Sequence, residues 1–384
     1  MLQSRDKIYG FILLVTGLLL CNILPAQHTV RIELSGRPDK HLNDTLYIAG
    51  SFNGWNPRFQ PAAFTNTIDG KSVVELKNFP AGIIEFKITR GSWSTVEAAA
   101  KGSAITNRAY KIISDTLFTI SVEAWTDDFP RRPPVSTRSK NVFIADTAFS
   151  IPQLNRKRRI WVYLPEEYVF NKKAYPVIYM QDGQNLFDVV TSSFGEWGVD
   201  ELMDSIQVRK QCIIVGIDHG SDKRFTEYNP YSSVYGKGEG DAYVDFLVQT
   251  LKPYIDKTYR TKPQRESTII AGSSMGGLIS LYAVIKYPDV FGGAGVFSPA
   301  FWLAPELFAK ANEAKKINAA VYFVCGEMES LQMTKDMDKM YQQLKQNGAT
   351  KLFYRQVKDG MHNENFWRNE LPAFYQWMYT NQIK

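Results

Sequence analysis

Hydrophobic positions recur in two different patterns along the chain. Between residues 28 and 126, short apolar runs such as 29–34 and 83–89 are separated by turn residues and show no helical period. This spacing predicts a small all-β domain, an immunoglobulin-like sandwich. Between residues 141 and 384, strand-like apolar runs alternate with helical stretches. That alternation predicts an α/β domain whose mostly parallel, doubly wound sheet is covered by helices on both faces.

Two further segments flank the predicted β-domain. Residues 127–140 are rich in proline and charge, which favours an extended, semi-rigid linker. Residues 1–26 have the pattern of a secretory signal peptide, with Arg5 and Lys7 at a basic start and a short apolar run before Pro25. We therefore expect a secreted or periplasmic protein, with no membrane association once the signal is removed.

Composition and charge change this picture only slightly. A share of 44% hydrophobic and 22% charged residues is typical of a globular protein with a sizeable core. The formal net charge of +6 becomes +5 on removal of Arg5, Lys7 and Asp6, and no segment is dense in Lys and Arg. A nucleic-acid partner is therefore not expected.

The 3 cysteines do not predict a disulfide framework. Cys212 and Cys325 each lie in an apolar strand-like run, so we expect buried free thiols. A lipid anchor at Cys21 is disfavoured because a leucine precedes it, where lipoprotein cleavage prefers a small residue.

A Gly-x-Ser-x-Gly sequence stands at residues 272–276 of the predicted α/β domain. An apolar run precedes it and a helical pattern follows, so Ser274 is expected on a sharp strand-to-helix turn, the nucleophile elbow. The helix that follows would direct its N-terminal N–H groups at an oxyanion formed near this serine. The sequence thus predicts Ser274 as a nucleophile.

A serine nucleophile needs a base in contact and a third group that holds the base. Of the 4 histidines, His28 and His41 belong to the β-domain and His219 follows a middle strand. His362 follows the last predicted strand and precedes the final helix, which is where the base stands in chains with a nucleophile elbow. We predict His362 as the base and place His219 in a loop or at the rim of the cleft.

The acid is expected after the penultimate strand, where Glu327 and Glu329 follow Gly326. Residue order alone leaves both carboxylates as candidates. The oxyanion hole needs two backbone N–H groups, and Met275, the residue after the nucleophile, supplies one. Gln184, in the loop after the third strand, is predicted to supply the other.

Four residues are candidates for the substrate cleft, namely Asp182, Trp197, Tyr228 and Trp302. A buried turn for the aspartate and core packing for the three aromatic residues are the alternatives. No cluster of His, Cys and Asp has the spacing of metal ligands, so neither a metal nor another cofactor is expected.

Residues 150–380 resemble the "Putative esterase" family of α/β hydrolases, which includes esterase D, feruloyl and acetylxylan esterases, mycolyl transferases and enterobactin-type siderophore esterases. The matching segments are residues 179–188, 197–200, 224, 227–228, 272–276 and 359–362. The resemblance implies an α/β-hydrolase fold and ester hydrolysis through an acyl-enzyme, with the triad in the order Ser, acid, His. It also favours Glu329 over Glu327, because related hydrolases place the acid three residues beyond the glycine that ends the strand.

The β-domain resembles starch- and glycogen-binding modules. Residues 46–57 look like their strand-and-turn signature, and residues 85–87 with 91–93 are similar to the second half of their sugar site. In that family two Trp rings stack on glucose units and a Lys donates to hydroxyls. The corresponding residues here are Trp55, Lys87 and Trp93. The alternative is a domain that only packs on the enzyme and shapes its cleft.

Together these features predict a secreted serine carboxylesterase that removes acyl groups, of acetyl or feruloyl type, from carbohydrate. Three other interpretations stay open: a siderophore trilactone esterase, an acyltransferase in which a sugar hydroxyl replaces water, and a carbohydrate-binding protein with an inactive hydrolase domain. The last is disfavoured because every catalytic position carries a competent residue.

Overall fold

The computed structural model describes four stretches of the chain, residues 27–129, 134–192, 194–314 and 317–383. The predicted signal peptide with Cys21, and residues 130–133 of the predicted linker, lie outside the described residues. Within the described stretches, two regions of different architecture follow one another.

The first region is built from short β-strands. They are β1 (Gln27–Gly36), β2 (Tyr47–Gly50), β3 (Thr65–Asn66), β4 (Ser72–Pro80), β5 (Gly82–Thr89), β6 (Glu97–Ala98), β7 (Arg108–Ile112), β8 (Thr116–Ser121) and β9 (Ala124–Trp125). Hydrogen bonds join them in the orders β3-β4-β1-β8, β2-β5-β7 and β6-β9. β1 runs parallel to β8, and the other pairs are antiparallel.

Strand β5 shows how the sequence of this region separates two faces of a sheet. Ile84, Phe86 and Ile88 point into the apolar core of the region. Because side chains alternate along a strand, Glu85 and Lys87 lie on the opposite face. Glu85 is nevertheless only 6% exposed, so this second face is also covered at that position.

The second region is built around one eight-stranded sheet. Its strands are β10 (Val142–Ile151), β11 (Arg156–Tyr163), β12 (Val177–Gln181), β13 (Ile213–Ile217), β14 (Thr268–Ser273), β15 (Gly293–Phe297), β16 (Ala320–Gly326) and β17 (Leu352–Val357). Their order across the sheet is β10-β11-β13-β12-β14-β15-β16-β17. The pairs β10/β11 and β11/β13 are antiparallel, and the remaining neighbours are parallel. The predicted mostly parallel sheet is confirmed.

Helices cover both faces of this sheet. They are α1 (Val199–Ser205), α2 (Arg224–Glu227), α3 (Gly240–Phe246), α4 (Lys252–Thr258), α5 (Met275–Lys286), α6 (Glu306–Glu313), α7 (Leu331–Gln346) and α8 (Glu364–Asn381). A π-helical turn, Leu247–Leu251, joins α3 to α4. Helices α3, α5 and α7 bury apolar residues in one core, and α1 and α8 bury theirs in a second core.

The centre of the sheet is buried from both sides. Every residue of β14 is buried, and α5 is buried from Met275 to Ile285. A parallel strand covered on both faces needs apolar side chains on both faces, which explains the continuous apolar run before the Gly-x-Ser-x-Gly sequence. The carboxyl ends of the parallel strands share one edge of the sheet, and loops at that edge carry the predicted site residues. In the described stretches, no helix has both the length and the apolar character to cross a bilayer.

Candidate active site

Ser274 occupies the sharp turn between β14 and α5. Its backbone has a φ of 58° and a ψ of −119°, which is strained for a residue other than glycine. The Ser274 N–H donates to the Phe297 carbonyl at 2.9 Å, and the Ala300 N–H donates to the Ser274 carbonyl at 3.1 Å. Gly272 is required here because a Cβ would lie 2.8 Å from the carbonyl carbon of Gly276. These contacts hold the turn in the conformation of a nucleophile elbow.

His362 forms a close pair with Glu329. The Nδ1 atom of the histidine, in the turn between β17 and α8, lies 2.8 Å from Glu329 Oε2. The Glu329 side chain is fully buried, whereas 29% of the His362 side chain is exposed. The second carboxylate oxygen, Oε1, accepts hydrogen bonds from Ser298 Oγ and the Gly326 N–H, each at 2.7 Å. Glu327 is exposed, so of the two candidate carboxylates Glu329 is the one held against the histidine.

Trp367, on α8, orients both members of this pair. Its Nε1–H donates to Ser298 Oγ at 2.8 Å, and its ring meets the His362 ring edge to face at 5.0 Å between centroids. Because Ser298 donates in turn to Glu329, one indole positions the imidazole and, through a hydroxyl, the carboxylate. Trp197, predicted for the cleft wall, is instead buried against Trp367 at 5.7 Å between ring centroids, because it fills the core beneath the site.

The charges around His362 favour its protonated form. Burial by itself would lower the pKa of His362. The hydrogen bond and charge of Glu329, followed by the charges of Glu85 and Glu364, outweigh burial and raise this pKa above its ordinary value. The same charges stabilise the imidazolium that forms when the histidine takes a proton. Because Nδ1 faces Glu329, Nε2 is the nitrogen left for a nucleophile.

Glu85 and Glu364 are absent from the residues predicted from the sequence. Glu364 is buried, accepts a hydrogen bond from Asn185 Nδ2 at 3.4 Å, and burial raises its pKa to about 7. Its position two residues after His362 was a usable signal. Glu85 lies on β5 of the first region, and Asn107 Nδ2 donates to it at 3.2 Å. Burial raises the pKa of Glu85, with the positive charge of His362 opposing the rise. No local pattern connects Glu85 to the site.

The two predicted oxyanion donors both stand in the first turn of a helical segment. Met275 is the first residue of α5, where a helix leaves its N–H groups without internal acceptors. Gln184 lies in the single 3₁₀ turn Gly183–Asn185 after β12, which Asp182 enters with a φ of 58°. The His219 N–H donates to Gln184 Oε1 at 3.2 Å and ties this loop to the one after β13. The backbone N–H groups of Met275 and Gln184 therefore both stand at the carboxyl-end edge of the sheet.

Asp182 and Tyr228, also predicted for the cleft, are buried and support the scaffold instead. The Asp182 carboxylate accepts two hydrogen bonds from Arg224, at 2.7 and 2.9 Å. Tyr228 is fully buried, packs on Tyr243 and places its hydroxyl 3.4 Å from the Asp182 N–H. Asp182 is tied to Arg224 because a buried carboxylate needs paired donors, which the guanidinium supplies. Trp302 is 41% exposed and remains available to a ligand.

His219 has a different environment from His362. Its Nδ1 accepts a hydrogen bond from the Ser221 N–H at 2.9 Å. Burial lowers the pKa of His219, with the charge of Asp182 opposing this. A neutral histidine with Nδ1 engaged as an acceptor carries its proton on Nε2 and can donate there. This arrangement suits a contact at the rim of the site and does not provide a base.

The residues predicted for a carbohydrate site lie in the first region. The rings of Trp55 and Trp93 are 6.3 Å apart between centroids and tilted by 38°, and Trp93 is 36% exposed. Two neighbouring rings with exposed area can stack on a sugar. Lys87 Nζ donates to the Ile105 carbonyl at 2.8 Å, and burial lowers the pKa of Lys87. The lysine is thus engaged within its own region.

A serine at a strand-to-helix turn and a histidine after the last strand of a mostly parallel sheet are the arrangement of α/β hydrolases. The match to a family model narrows this class. Residues 151–378 match the model described as "Putative esterase", and the chain belongs to that family. The protein is therefore a carboxylic ester hydrolase of the α/β-hydrolase type, as the resemblance implied.

Three proteins illustrate the similarity. YbbA of Bacillus subtilis, an uncharacterized protein, is 27% identical over 245 residues, which cover 58% of this chain and 92% of YbbA. The structure of a ferulic acid esterase gives a TM-score of 0.50 at 24% identity and covers 62% of this chain and 97% of its own. The structure of the ferric enterobactin esterase of Salmonella typhimurium gives a TM-score of 0.52 at 14% identity. The match covers 88% of this chain and 89% of the esterase. At these identities the two structures show a shared fold.

Proposed function

We propose that this protein is a secreted serine carboxylesterase that removes acyl groups, of acetyl or feruloyl type, from carbohydrate. The 2.8 Å contact between His362 Nδ1 and Glu329 Oε2 carries the proposal. A histidine held by a buried carboxylate is the base that a serine nucleophile needs, and the elbow supplies that serine, Ser274. Export rests on the signal-like pattern of residues 1–26, and N-terminal sequencing of the exported protein would test it.

In the proposed reaction, His362 Nε2 removes the proton of Ser274 Oγ as this oxygen attacks the ester carbonyl carbon. The N–H groups of Met275 and Gln184 stabilise the oxyanion. His362 then gives the proton to the leaving alcohol, the ester C–O bond breaks, and an acyl-enzyme remains. A water molecule repeats these steps, so the acid is released and the free serine is restored.

Two observations support an acylated carbohydrate as the substrate. One solved structure with the same fold is that of a ferulic acid esterase. The first region also carries the neighbouring Trp55 and Trp93 rings, whose spacing suits stacking on sugars. The decisive experiment is a hydrolysis panel of acetylated xylan, feruloylated arabinose and a ferric-chelator trilactone. Turnover of one of the first two supports the proposal, and turnover of the trilactone alone contradicts the carbohydrate assignment.

Carbohydrate binding by the first region has its own test. Retention on insoluble amylose or xylan is expected for the wild type and should fall in Trp93→Ala, because removal of one ring takes away half of the stacking surface. Retention that is unchanged by this substitution would remove Trp93 from the site. The aryl-acetate hydrolysis rate of the same variant serves as the control for folding.

A siderophore trilactone esterase is the second candidate. The likeness to ferric enterobactin esterase extends over 88% of this chain, more than the family match at residues 151–378. The same panel separates this candidate from the first. An acyltransferase would instead move the acyl group to an added sugar, which product analysis with and without the acceptor would show.

A further inference from the structure

Three carboxylates that take no part in the proposed reaction gather at the start of α1. One oxygen from each of Glu196, Asp200 and Glu201 lies within 4.8 Å of the corresponding oxygen of the other two. Asp200 is fully buried and Glu196 is 7% exposed, whereas Glu201 is half-buried. The group therefore offers three oxygen donors close to one another.

Each of these carboxylates is held through one of its two oxygens. The partners are Thr137 Oγ1 for Glu196 Oε2 at 2.7 Å, the Ser139 N–H for Asp200 Oδ2 at 2.7 Å and, at 3.9 Å, Arg368 Nη2 for Glu201 Oε1. The second oxygens are Glu196 Oε1, Asp200 Oδ1 and Glu201 Oε2. These three atoms are inaccessible to solvent and accept no hydrogen bond from the part of the chain that the structure describes.

The charges of the group are poorly balanced by its neighbours. A buried charge without a partner is strongly unfavourable in the low dielectric of a protein interior. The Arg368 guanidinium contacts Glu201 through Oε1, which is not one of the three unpartnered oxygens. Either shared protons or a bound cation must therefore compensate the group.

We propose that Glu196 Oε1, Asp200 Oδ1 and Glu201 Oε2 bind a hard divalent cation, with Ca²⁺ as the best fit. Carboxylate oxygens are the ligands of Ca²⁺ and Mg²⁺, whereas Zn²⁺ and copper prefer nitrogen and sulfur. Ca²⁺ tolerates irregular geometry and takes about six to eight oxygens, and it accepts carboxylates through one or both oxygens, so three carboxylates can supply most of its shell. Mg²⁺ demands near-octahedral geometry, which three close carboxylates suit less well.

The cation would fasten the start of the second region. Through Glu196 Oε2 and Asp200 Oδ2, these carboxylates already hold Thr137 and Ser139 at the end of the predicted linker. A cation bound to Glu196 Oε1 and Asp200 Oδ1 removes the repulsion that otherwise pushes these two carboxylates apart. The sequence predicted no metal because this group contains neither histidine nor cysteine.

The experiment measures Ca²⁺ binding to the chelator-treated full chain by titration calorimetry, together with the melting temperature. We expect saturable binding near one ion per chain and a melting temperature that rises with Ca²⁺ concentration. Asp200→Asn and Glu201→Gln should each weaken binding by about tenfold or more, because ligand charge sets Ca²⁺ affinity. Glu313→Gln, an exposed carboxylate-to-amide change on α6, is the matched control and should bind as the wild type does.

Two results would overturn the proposal. The first is no saturable binding of Ca²⁺ up to about 10 mM, well above the roughly millimolar Kd of weak extracellular calcium modules. Shared protons would then be the compensation. The second is binding that Asp200→Asn and Glu201→Gln leave unchanged, which would place the ion elsewhere. If Asp200→Asn fails to fold, the less buried Glu201→Gln decides. Neither readout requires a substrate, so the outcome is independent of the proposed esterase reaction.

Discussion

The two regions of the molecule act on His362 in different ways. Glu329, from the second region, contacts the imidazole directly at 2.8 Å. Glu85, from the first region, influences it through charge. The direct contact follows from strand order, because acid and base leave the carboxyl ends of the neighbouring strands β16 and β17. The effect of the Glu85 charge depends on Glu85 lying on the face of β5 opposite the apolar core of the first region. The comparison indicates that the second region holds the proposed base by direct contact, whereas the first region acts on it through charge.

Two buried carboxylates within the first region sharpen this contrast. Glu97 accepts hydrogen bonds from Arg108 and, at 2.8 Å, from the Ile88 N–H, so its charge is compensated within the region. Glu85 has one oxygen, Oε1, that accepts no hydrogen bond from the described residues. A buried polar atom without a partner calls for an explanation, because burial without a hydrogen bond is unfavourable. The nearby positive charge of His362 is consistent with that reading.

The largest expected effect lies in the second region, at the proposed nucleophile. Ser274→Ala should lower kcat for an aryl acetate by roughly 10⁶-fold, as loss of a serine nucleophile does in hydrolases with a triad. An unchanged melting temperature would show that the fold is intact. Residual activity above about 1% of the wild type, far more than binding and an oxyanion hole supply, would place the nucleophile elsewhere.

The next effect compares two carboxylates on one turn. Glu329→Gln keeps the size of the side chain but removes the charge that holds the imidazolium, and kcat should fall by about 10⁴-fold. Glu327→Gln, the matched control, should change kcat by less than about twofold because an exposed carboxylate is screened by water. Equal losses in both variants, measured with the same aryl acetate, would contradict the assignment of the acid.

A smaller effect is expected at Ser298, which joins Trp367 to Glu329. Ser298→Ala leaves the indole N–H and one carboxylate lone pair without a partner, so the free energy of unfolding should fall by about 1–3 kcal/mol. Misorientation of the acid should lower kcat by about 10- to 100-fold. Urea denaturation and kinetics measure the two effects, with Ser205→Ala at the exposed end of α1 as control. A loss of stability without a loss of kcat would leave Ser298 with a structural role alone.

The smallest effect is the one that tests the first region. Glu85→Gln removes a negative charge that raises the pKa of His362, so this pKa should fall. A histidine base works in its neutral form, and the acid limb of the kcat/KM profile should therefore move to lower pH. Glu75→Gln, at an exposed position of β4, is the control and should leave the profile unchanged.

Two outcomes at Glu85 would break the comparison between the regions. A shift of the acid limb to higher pH would contradict the charge effect. A fall of the plateau rate by more than about tenfold, or 1.4 kcal/mol of transition-state stabilisation, would make Glu85 part of the reaction centre.

The sequence by itself determined the features that depend on local backbone chemistry and chain order. The apolar run of β14, the two glycines and the helical pattern of α5 specify the turn at Ser274, because few backbones fit that series. Alternation of strands and helices specifies a parallel sheet, whose carboxyl-end loops then contain the position of His362. The α/β-hydrolase class was accordingly predicted correctly, and the resemblance of residues 150–380 predicted the esterase family that the family model confirms.

Only the tertiary structure decided which side chains meet. Glu327 and Glu329 are two residues apart, yet Ser298 Oγ and the Gly326 N–H hold the Glu329 carboxylate in the interior, whereas Glu327 is exposed. Trp197 and Tyr228 are aromatic residues of the kind that line a substrate cleft, yet packing against distant residues buries them. Glu85 reaches the site from another region of the chain. Such contacts depend on distances between segments far apart in sequence, and no residue pattern along the chain records those distances.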